Sequence, residues 1–273
     1  RHPLQVTDSK LALKDFRLYT KGKAPLTVNG TIDMTRLTQM ELNLWMKADN
    51  YELLNAPKTK RAVTYGKIYV DVNAFLRGSM DNLVMRGNMN VLGNTDFSYV
   101  MKDSPLTVND RLGETVAFVN FNDTAGTEAT VQPTALTGVD VLMTIHVDQA
   151  VQTHVDLTED GSNYMLLEGG GDLSFQYTPE GDMLLNGRYS LISGEMKYEI
   201  PVIPLKTFHI QNGSYLEWTG DLMNPKMNIV ATERVRARVG VDGQSDRMVS
   251  FDVGVKLSQT LGNLGLSFIL SAP

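Results

Sequence analysis

Val139-Asp140-Val141-Leu142-Met143-Thr144-Ile145-His146-Val147 decides the fold class. Its odd positions are Val, Val, Met, Ile and Val, and its even positions are Asp, Leu, Thr and His. Alternate side chains of a strand point to opposite faces, so this stretch reads as a strand with one apolar and one wetter face. The same period recurs in both directions along the chain. Phe251, Val253, Val255 and Leu257 alternate with Asp252, Gly254, Lys256 and Ser258. Ile68, Val70, Val72, Ala74 and Leu76 form another set, as do Leu173, Phe175 and Tyr177, then Met196, Tyr198 and Ile200, then Leu264, Leu266, Phe268 and Leu270. No stretch has a convincing helical period; Met40, Leu42, Leu44 and Met46 fit period two inside the best helical candidate, 34–46. The expected fold is all-β, with little or no helix.

Turn chemistry separates the runs. Asn29-Gly30, Asp160-Gly161, Glu180-Gly181, Asn212-Gly213 and Asp242-Gly243 can each supply a positive φ, and are expected to be turns. Gly187 shares parity with Leu185, Tyr189 and Leu191, which puts Asn186-Gly187 inside a strand or at a bulge. Pro201 and Pro204 are expected to interrupt pairing. The runs look short before about residue 115 and longer after 138, and Phe121–Glu128 reads as a flexible connection.

Composition removes several function classes. The chain has 273 residues, 42% hydrophobic and 21% charged, with a formal charge of −6. Its mean hydropathy of −0.16 suits a chain with a real interior. No basic stripe exists, so nucleic acid is not an expected partner. Lys58-Thr59-Lys60-Arg61 is the densest basic stretch and reads as a solvated loop. With no cysteine, disulfides, thiolate metal sites and thiol catalysis are excluded. No apolar run has the length of a membrane helix. The opening Arg1-His2-Pro3 suggests an internal piece of a longer protein.

Candidate chemistry is sparse. His146-Val147-Asp148 and His154-Val155-Asp156 form a repeated triplet. On adjacent strands joined by a short connection, the two histidines would face each other; two polar-face histidines are the plainer reading than a metal site. Glu168-Gly169-Gly170-Gly171-Asp172 resembles a phosphate loop only loosely, because a strand follows it where a helix is required, and it reads as a strand connection. No Gly-x-Ser-x-Gly elbow occurs. No catalytic residue, cofactor or metal is expected. What remains is the apolar face, which serves either as a sandwich core or as a surface that holds something greasy.

A resemblance bears on that choice. Gly181-Asp182-Met183-Leu184-Leu185-Asn186-Gly187-Arg188-Tyr189, then Ser193-Gly194-Glu195-Met196-Lys197-Tyr198, Phe208–Gly213, Trp218-Thr219-Gly220, Asn224-Pro225 and Met227–Ala231 follow one another in order. Together with Glu168–Leu173 they resemble the conserved end of the TamB family over residues 138–273. The family resemblance implies an AsmA-like β-taco, an elongated sheet curled into a trough with an apolar inner face. On this basis residues 1–273 are expected to form one elongated fragment, with 1–137 as generic repeat-like strands and 138–273 as the TamB-like region. The resemblance also implies a periplasmic stretch of an inner-membrane-anchored envelope protein, a TamA-like outer-membrane barrel as partner, and phospholipid transport along the trough. An older reading of the family gives it a role in assembling outer-membrane proteins, so chaperone-like binding of their strands is the alternative.

The trough accounts for the pattern physically. Roughly eighteen strands about 4.8 Å apart would extend on the order of 85 Å. A phospholipid with about thirty tail methylenes faces roughly 25 kcal/mol in bare water at about 0.8 kcal/mol each. The expected lining is Phe175, Tyr189, Leu191, Tyr198, Phe208, Ile210, Trp218, Ile229, Phe251, Val253, Val255, Phe268 and Leu270. In an open trough Leu191→Arg or Val253→Asp would leave the chain folded while blocking transport; in a sandwich core they would unfold it. A transmembrane barrel, with strands of about 9–11 residues and aromatic girdles, and a compact sandwich are the rival architectures.

Overall fold

A computed structural model describes residues 4–59, 62–101, 137–158, 160–200, 203–240 and 247–272. It is 75% strand, against roughly 20–25% in an average globular protein, and its described residues contain no helix. The strands are β1 (Leu4–Thr7), β2 (Lys10–Leu18), β3 (Leu26–Asp33), β4 (Glu41–Ala56), β5 (Thr64–Ser79), β6 (Asn82–Val91), β7 (Asp96–Val100), β8 (Val139–Asp156), β9 (Tyr164–Tyr177), β10 (Met183–Ile200), β11 (Ile203–Ile210), β12 (Tyr215–Asp221), β13 (Lys226–Val239), β14 (Arg247–Thr260) and β15 (Asn263–Ser271). All fifteen belong to one sheet, in the order β1 to β6, then β8 to β11, then β13 to β15. Thus β6 and β7 lie in line between β5 and β8, and β11 and β12 lie in line between β10 and β13. The path therefore has thirteen positions, giving about 58 Å across the strands at about 4.8 Å each, less than the length expected from the sequence. Among the described residues β1 and β15 do not pair, so the sheet is open and is not a closed barrel.

Pairing is antiparallel on both sides of a single parallel joint, where β6 and β7 run beside β8. The segment expected to be a flexible connection, Phe121–Glu128, lies outside the described residues, as does Asp242-Gly243. Turns do form at Asp160-Gly161, Glu180-Gly181 and Asn212-Gly213, with positive φ at each glycine. Asn29-Gly30 does not make a turn: it sits inside β3, where Gly30 has φ 136°.

The strands are longer than their sequence runs suggest, with 16 residues in β4 and in β5 and 18 in β8 and in β10. A bulge adds a residue to one strand and reverses which parity faces inward. In β10 one extra residue, Ile192, lies between the pairs Leu191–Gly169 and Ser193–Glu168. Leu185, Tyr189 and Leu191 are therefore inward as odd residues, and Gly194 and Met196 as even ones. One long strand thus reads as two short runs.

These irregularities line up. Asp49 and Asn50 bulge from β4, Leu92–Thr95 separate β6 from β7, and Asp148–Ala150 bulge from β8. Gly169–Gly171 of β9, Ile192 of β10 and Gln211–Ser214 between β11 and β12 continue the line. Side chains tie it together: Asn94 Nδ2 donates to Asn50 Oδ1 at 3.2 Å, Asp148 Oδ1 accepts from its own bulge at Ala150 N (2.8 Å), and Ser214 Oγ accepts from Val230 N at 3.1 Å. Aligned bulges bend a sheet, and this line is a crease that folds the sheet lengthwise. The glycine triplet is thus part of a strand at the crease, not a strand connection. Val147 and Tyr189 lie on one side of the line and Leu157, Met165, Met196 and Phe208 on the other, yet they share one buried cluster. A second cluster, Leu13, Val28 and Leu44, lies among the N-terminal strands.

Candidate functional site: the apolar inner face

Register alone assembles this face. Phe16 opposes Val28, and the row continues through Met46, Ala74, Gly87, Met143, Phe175, Leu185 and Gly220. The next row is Leu18, Leu26, Ala48, Val72, Met89, Ile145, Leu173, Gly187 and Trp218. A third, nearer the crease, runs Val70, Val91, Val147, Gly171, Tyr189, Leu216 and Met227. None of the three contains a charged residue, and all cross the parallel joint. Paired residues share a face, so these rows form a continuous apolar surface.

The face is covered unevenly. Of the thirteen residues proposed from sequence, Tyr189, Leu191, Phe208, Ile210, Ile229 and Val255 are buried in the main cluster. Leu191 is only 1% exposed, so the wall there is sealed rather than open. Phe175, Trp218, Phe251 and Val253 are half-buried, and Trp218 Nε1 donates to the Leu222 carbonyl at 3.0 Å. Phe268 and Leu270 are exposed on the last strand. The side chain of Tyr198 lies outside the described set. A second partly open stretch belongs to β1–β4, where Leu4, Val6 and Leu18 are exposed and Phe16, Leu26, Ile32, Leu42 and Met46 are half-buried, although Leu13, Val28, Leu44 and Ala48 beside them are buried. These were missed as lining residues although the alternation of Met40–Met46 carried the signal.

Tyr189 is the polar exception on this face. It lies opposite Gly171, where no side chain competes for space. Its hydroxyl is buried without a hydrogen-bond partner among the described residues. Burial raises its pKa above the usual phenol value, and nearby Thr153 offsets this only in part.

The opposite face is more polar, with Trp45, Leu142 and Leu166 as exposed apolar exceptions. His146 and His154 both lie in β8, not on adjacent strands, because Asp148–Ala150 form a bulge instead of a hairpin. His146 Nδ1 is 2.7 Å from Asp172 Oδ1, across the ladder. His154 Nε2 is 2.7 Å from Asp156 Oδ1, and its ring stacks on Tyr164 at 5.2 Å. Asp156 is 1% exposed; its Oδ2 accepts from Lys58 Nζ and Tyr65 Oη, both at 3.2 Å. Lys58 is exposed, as expected, and also carries a partner: Tyr65 and then Asp156 raise its pKa. This cluster joins the β4–β5 connection to β8 across the parallel joint. Beside it lies an open hollow of about 630 Å³, with Tyr65, Ser98, His154, Glu168, Glu195 and His209 on its walls. Among the described residues no group of His, Asp and Glu is arranged to hold a metal.

Lys58→Ala is expected to remove one partner of buried Asp156 while Tyr65 and His154 remain, and to cost about 0.5–1.5 kcal/mol, the usual net worth of one hydrogen bond. Adding Asp156→Asn should restore part of that loss. Urea denaturation of the single and double variants measures both. A single-variant loss below about 0.5 kcal/mol would place the pair among ordinary surface ion pairs and count against a structural role.

The comparisons with known proteins follow the same geometry. A family model described as the TamB C-terminal domain matches residues 15–273. The chain belongs to the TamB family. The match reaches well beyond residues 138–273, where the sequence resemblance was seen, and takes in all but the first of the strands described above and part of the second. No curated protein matches the chain. The TamB family is associated with the bacterial envelope, and is linked to the translocation and assembly module that also includes TamA. In this TamB domain no helix among the described residues is long and apolar enough to cross a membrane.

Proposed function

We propose that this TamB domain is a non-enzymatic periplasmic conduit, in a protein anchored in the inner membrane and working with a TamA-like outer-membrane barrel. Phospholipid acyl chains are its cargo, and the apolar inner face is their path. The observation that carries this reading is the set of charge-free rows crossing from β2 to β12. Each tail methylene kept out of water is worth about 0.8 kcal/mol, so a continuous apolar surface lowers the barrier to moving a lipid, while a head group stays wet at the rim. A partly accessible stretch of the path lies over β2–β4, around Leu18, Leu26 and Met46. In the C-terminal half the two walls meet and form the structural end of the trough.

Mass spectrometry of lipids that co-purify with the chain tests the proposal. Phospholipid is the expected finding. Met46→Glu, at a half-buried position in the first row, should keep the fold and reduce bound lipid at least about tenfold, because a charge resists desolvation by several kcal/mol. A native preparation without phospholipid, or a Met46→Glu variant that carries as much lipid as the parent, would refute the conduit. Absence of lipid with saturable binding of an outer-membrane strand peptide would select the alternative, a chaperone-like role.

A further inference from the structure

We propose that the open hollow on the more polar face is a binding site for a polyamine, a ligand whose ammonium groups are joined by short methylene chains. Two register rows build it. Tyr65, Ser98, His154, Leu166, Glu195 and His209 follow one another across β5, β7, β8, β9, β10 and β11. Beside them run Asp96, Gln152, Glu168 and Ser193. Asp96, Glu168 and Glu195 are carboxylates, and no lysine or arginine is among the described residues that line the hollow. Among the described residues Asp96 and Glu195 make no ion pair, and Glu168 accepts one bond, from Ser193 Oγ to its Oε2 at 2.7 Å. The walls therefore offer carboxylate oxygens to a cation.

Acidic residues alone mark no more than a solvated surface. Ser98 adds a separate observation. It is 7% exposed and lies in the wall between Tyr65 and His154, yet its hydroxyl has no partner among the described residues. A buried polar group without a bond is costly unless something supplies one, and an ammonium N–H does. A side chain of the protein already shows this chemistry at the edge of the hollow: Lys58 Nζ donates to Asp156 Oδ2 and lies 5.0 Å from the centre of the Tyr65 ring. Spacing favours a long cation over a compact one. Glu168 and Glu195 are diagonal neighbours, about 7–8 Å apart at the backbone. Asp96 and Glu168 are two strand spacings apart, about 10 Å. Among the described residues no carboxylates and histidines converge on one point. Leu166, 39% exposed, lies beside both Glu168 and Glu195 and gives methylenes an apolar step to rest on while ammonium groups reach the carboxylates. The site is on the opposite face from the apolar path and does not depend on it.

Isothermal titration calorimetry of the chain with spermidine at low ionic strength is the test. The expected result is saturable one-to-one binding. Asp96→Asn and Glu195→Gln, both at exposed positions, should keep the parent's melting temperature and each weaken binding at least about tenfold, the worth of a charge-assisted hydrogen bond. Ser98→Ala should weaken it about two- to tenfold, the worth of one ordinary hydrogen bond. Glu180→Gln, in the turn between β9 and β10, should change nothing. Magnesium ion at the concentration of spermidine should not displace it. Absence of saturable binding overturns the proposal. So does binding that weakens no more in Asp96→Asn and Glu195→Gln than in Glu180→Gln, which would make spermidine a diffuse counterion. Displacement by an equal concentration of magnesium would make the hollow a general cation site, and would equally overturn it.

Discussion

Leu191→Arg should unfold this domain. Leu191 sits beside the crease, packed within the cluster that includes Val147, Met196 and Ile229, and its N–H donates to the Ser214 carbonyl at 2.9 Å. An arginine can keep its charge hydrated by reaching along apolar surface to water, but only where water is within reach. Here both walls of the fold cover the site. A buried, unpaired charge costs about 3 kcal/mol or more, a large share of the 5–15 kcal/mol that separates folded from unfolded states. Circular dichroism melting should show loss of the cooperative transition, or a much lower midpoint. Phe268→Lys, on the same face but at the open edge, should melt like the parent. If Leu191→Arg also melts like the parent, the floor of the fold is wet and the trough is open along its whole length. The expectation that this variant stays folded rested on an open wall; with Leu191 sealed, it is replaced by this one.

Gly170→Val should be nearly as damaging, by a different route. Gly170 is buried in the middle of β9, where the neighbouring strands bulge. A Cβ there would collide with the carbonyl oxygen of Val147 and lie 2.9 Å from the carbonyl carbon of Asp148 and from the amide nitrogen of Gln149. These are backbone atoms, so no rotamer change relieves the clash. Relief requires the β8 bulge to move, and with it the crease. Overpacking of this kind costs about 1–3 kcal/mol and occasionally more. Valine suits a strand well by intrinsic preference, so a loss of that size would isolate the close approach of β8 as the cause. Urea denaturation gives the value. A change within about 0.5 kcal/mol, the range of ordinary surface substitutions, would show that the crease does not need the glycine.

The glycine triplet also shows where reading the chain stops. Gly-Gly-Gly between an acidic residue and a strand is ordinary loop chemistry, and nothing local tells a loop from a strand pressed against a bulge. The cause lies in β8, some twenty residues earlier in the chain, whose backbone occupies the space that side chains would need. The two histidines failed for a related reason. A hairpin between His146 and His154 fits their spacing, but Asp148 caps its own bulge and the strand continues. Lys58 is solvated as read, but its pairing with Asp156 was not legible, because the two are 98 positions apart in sequence.

By itself the sequence determined the strand content, the face on which each apolar run lies and the family. All three depend on local information: side-chain direction alternates residue by residue, and the family pattern is an order of short motifs. The tertiary structure alone decided how much of the apolar face is accessible. Leu191 and Leu270 belong to equivalent alternating runs, yet one is sealed and the other almost free. The difference comes from the aligned bulges, which bring the rows on either side of the crease into contact in the C-terminal half, and from strand order, which among the described residues gives β15 a neighbour on one side only. Burial depends on distances between residues far apart in the chain, and alternation along a single strand carries no record of them.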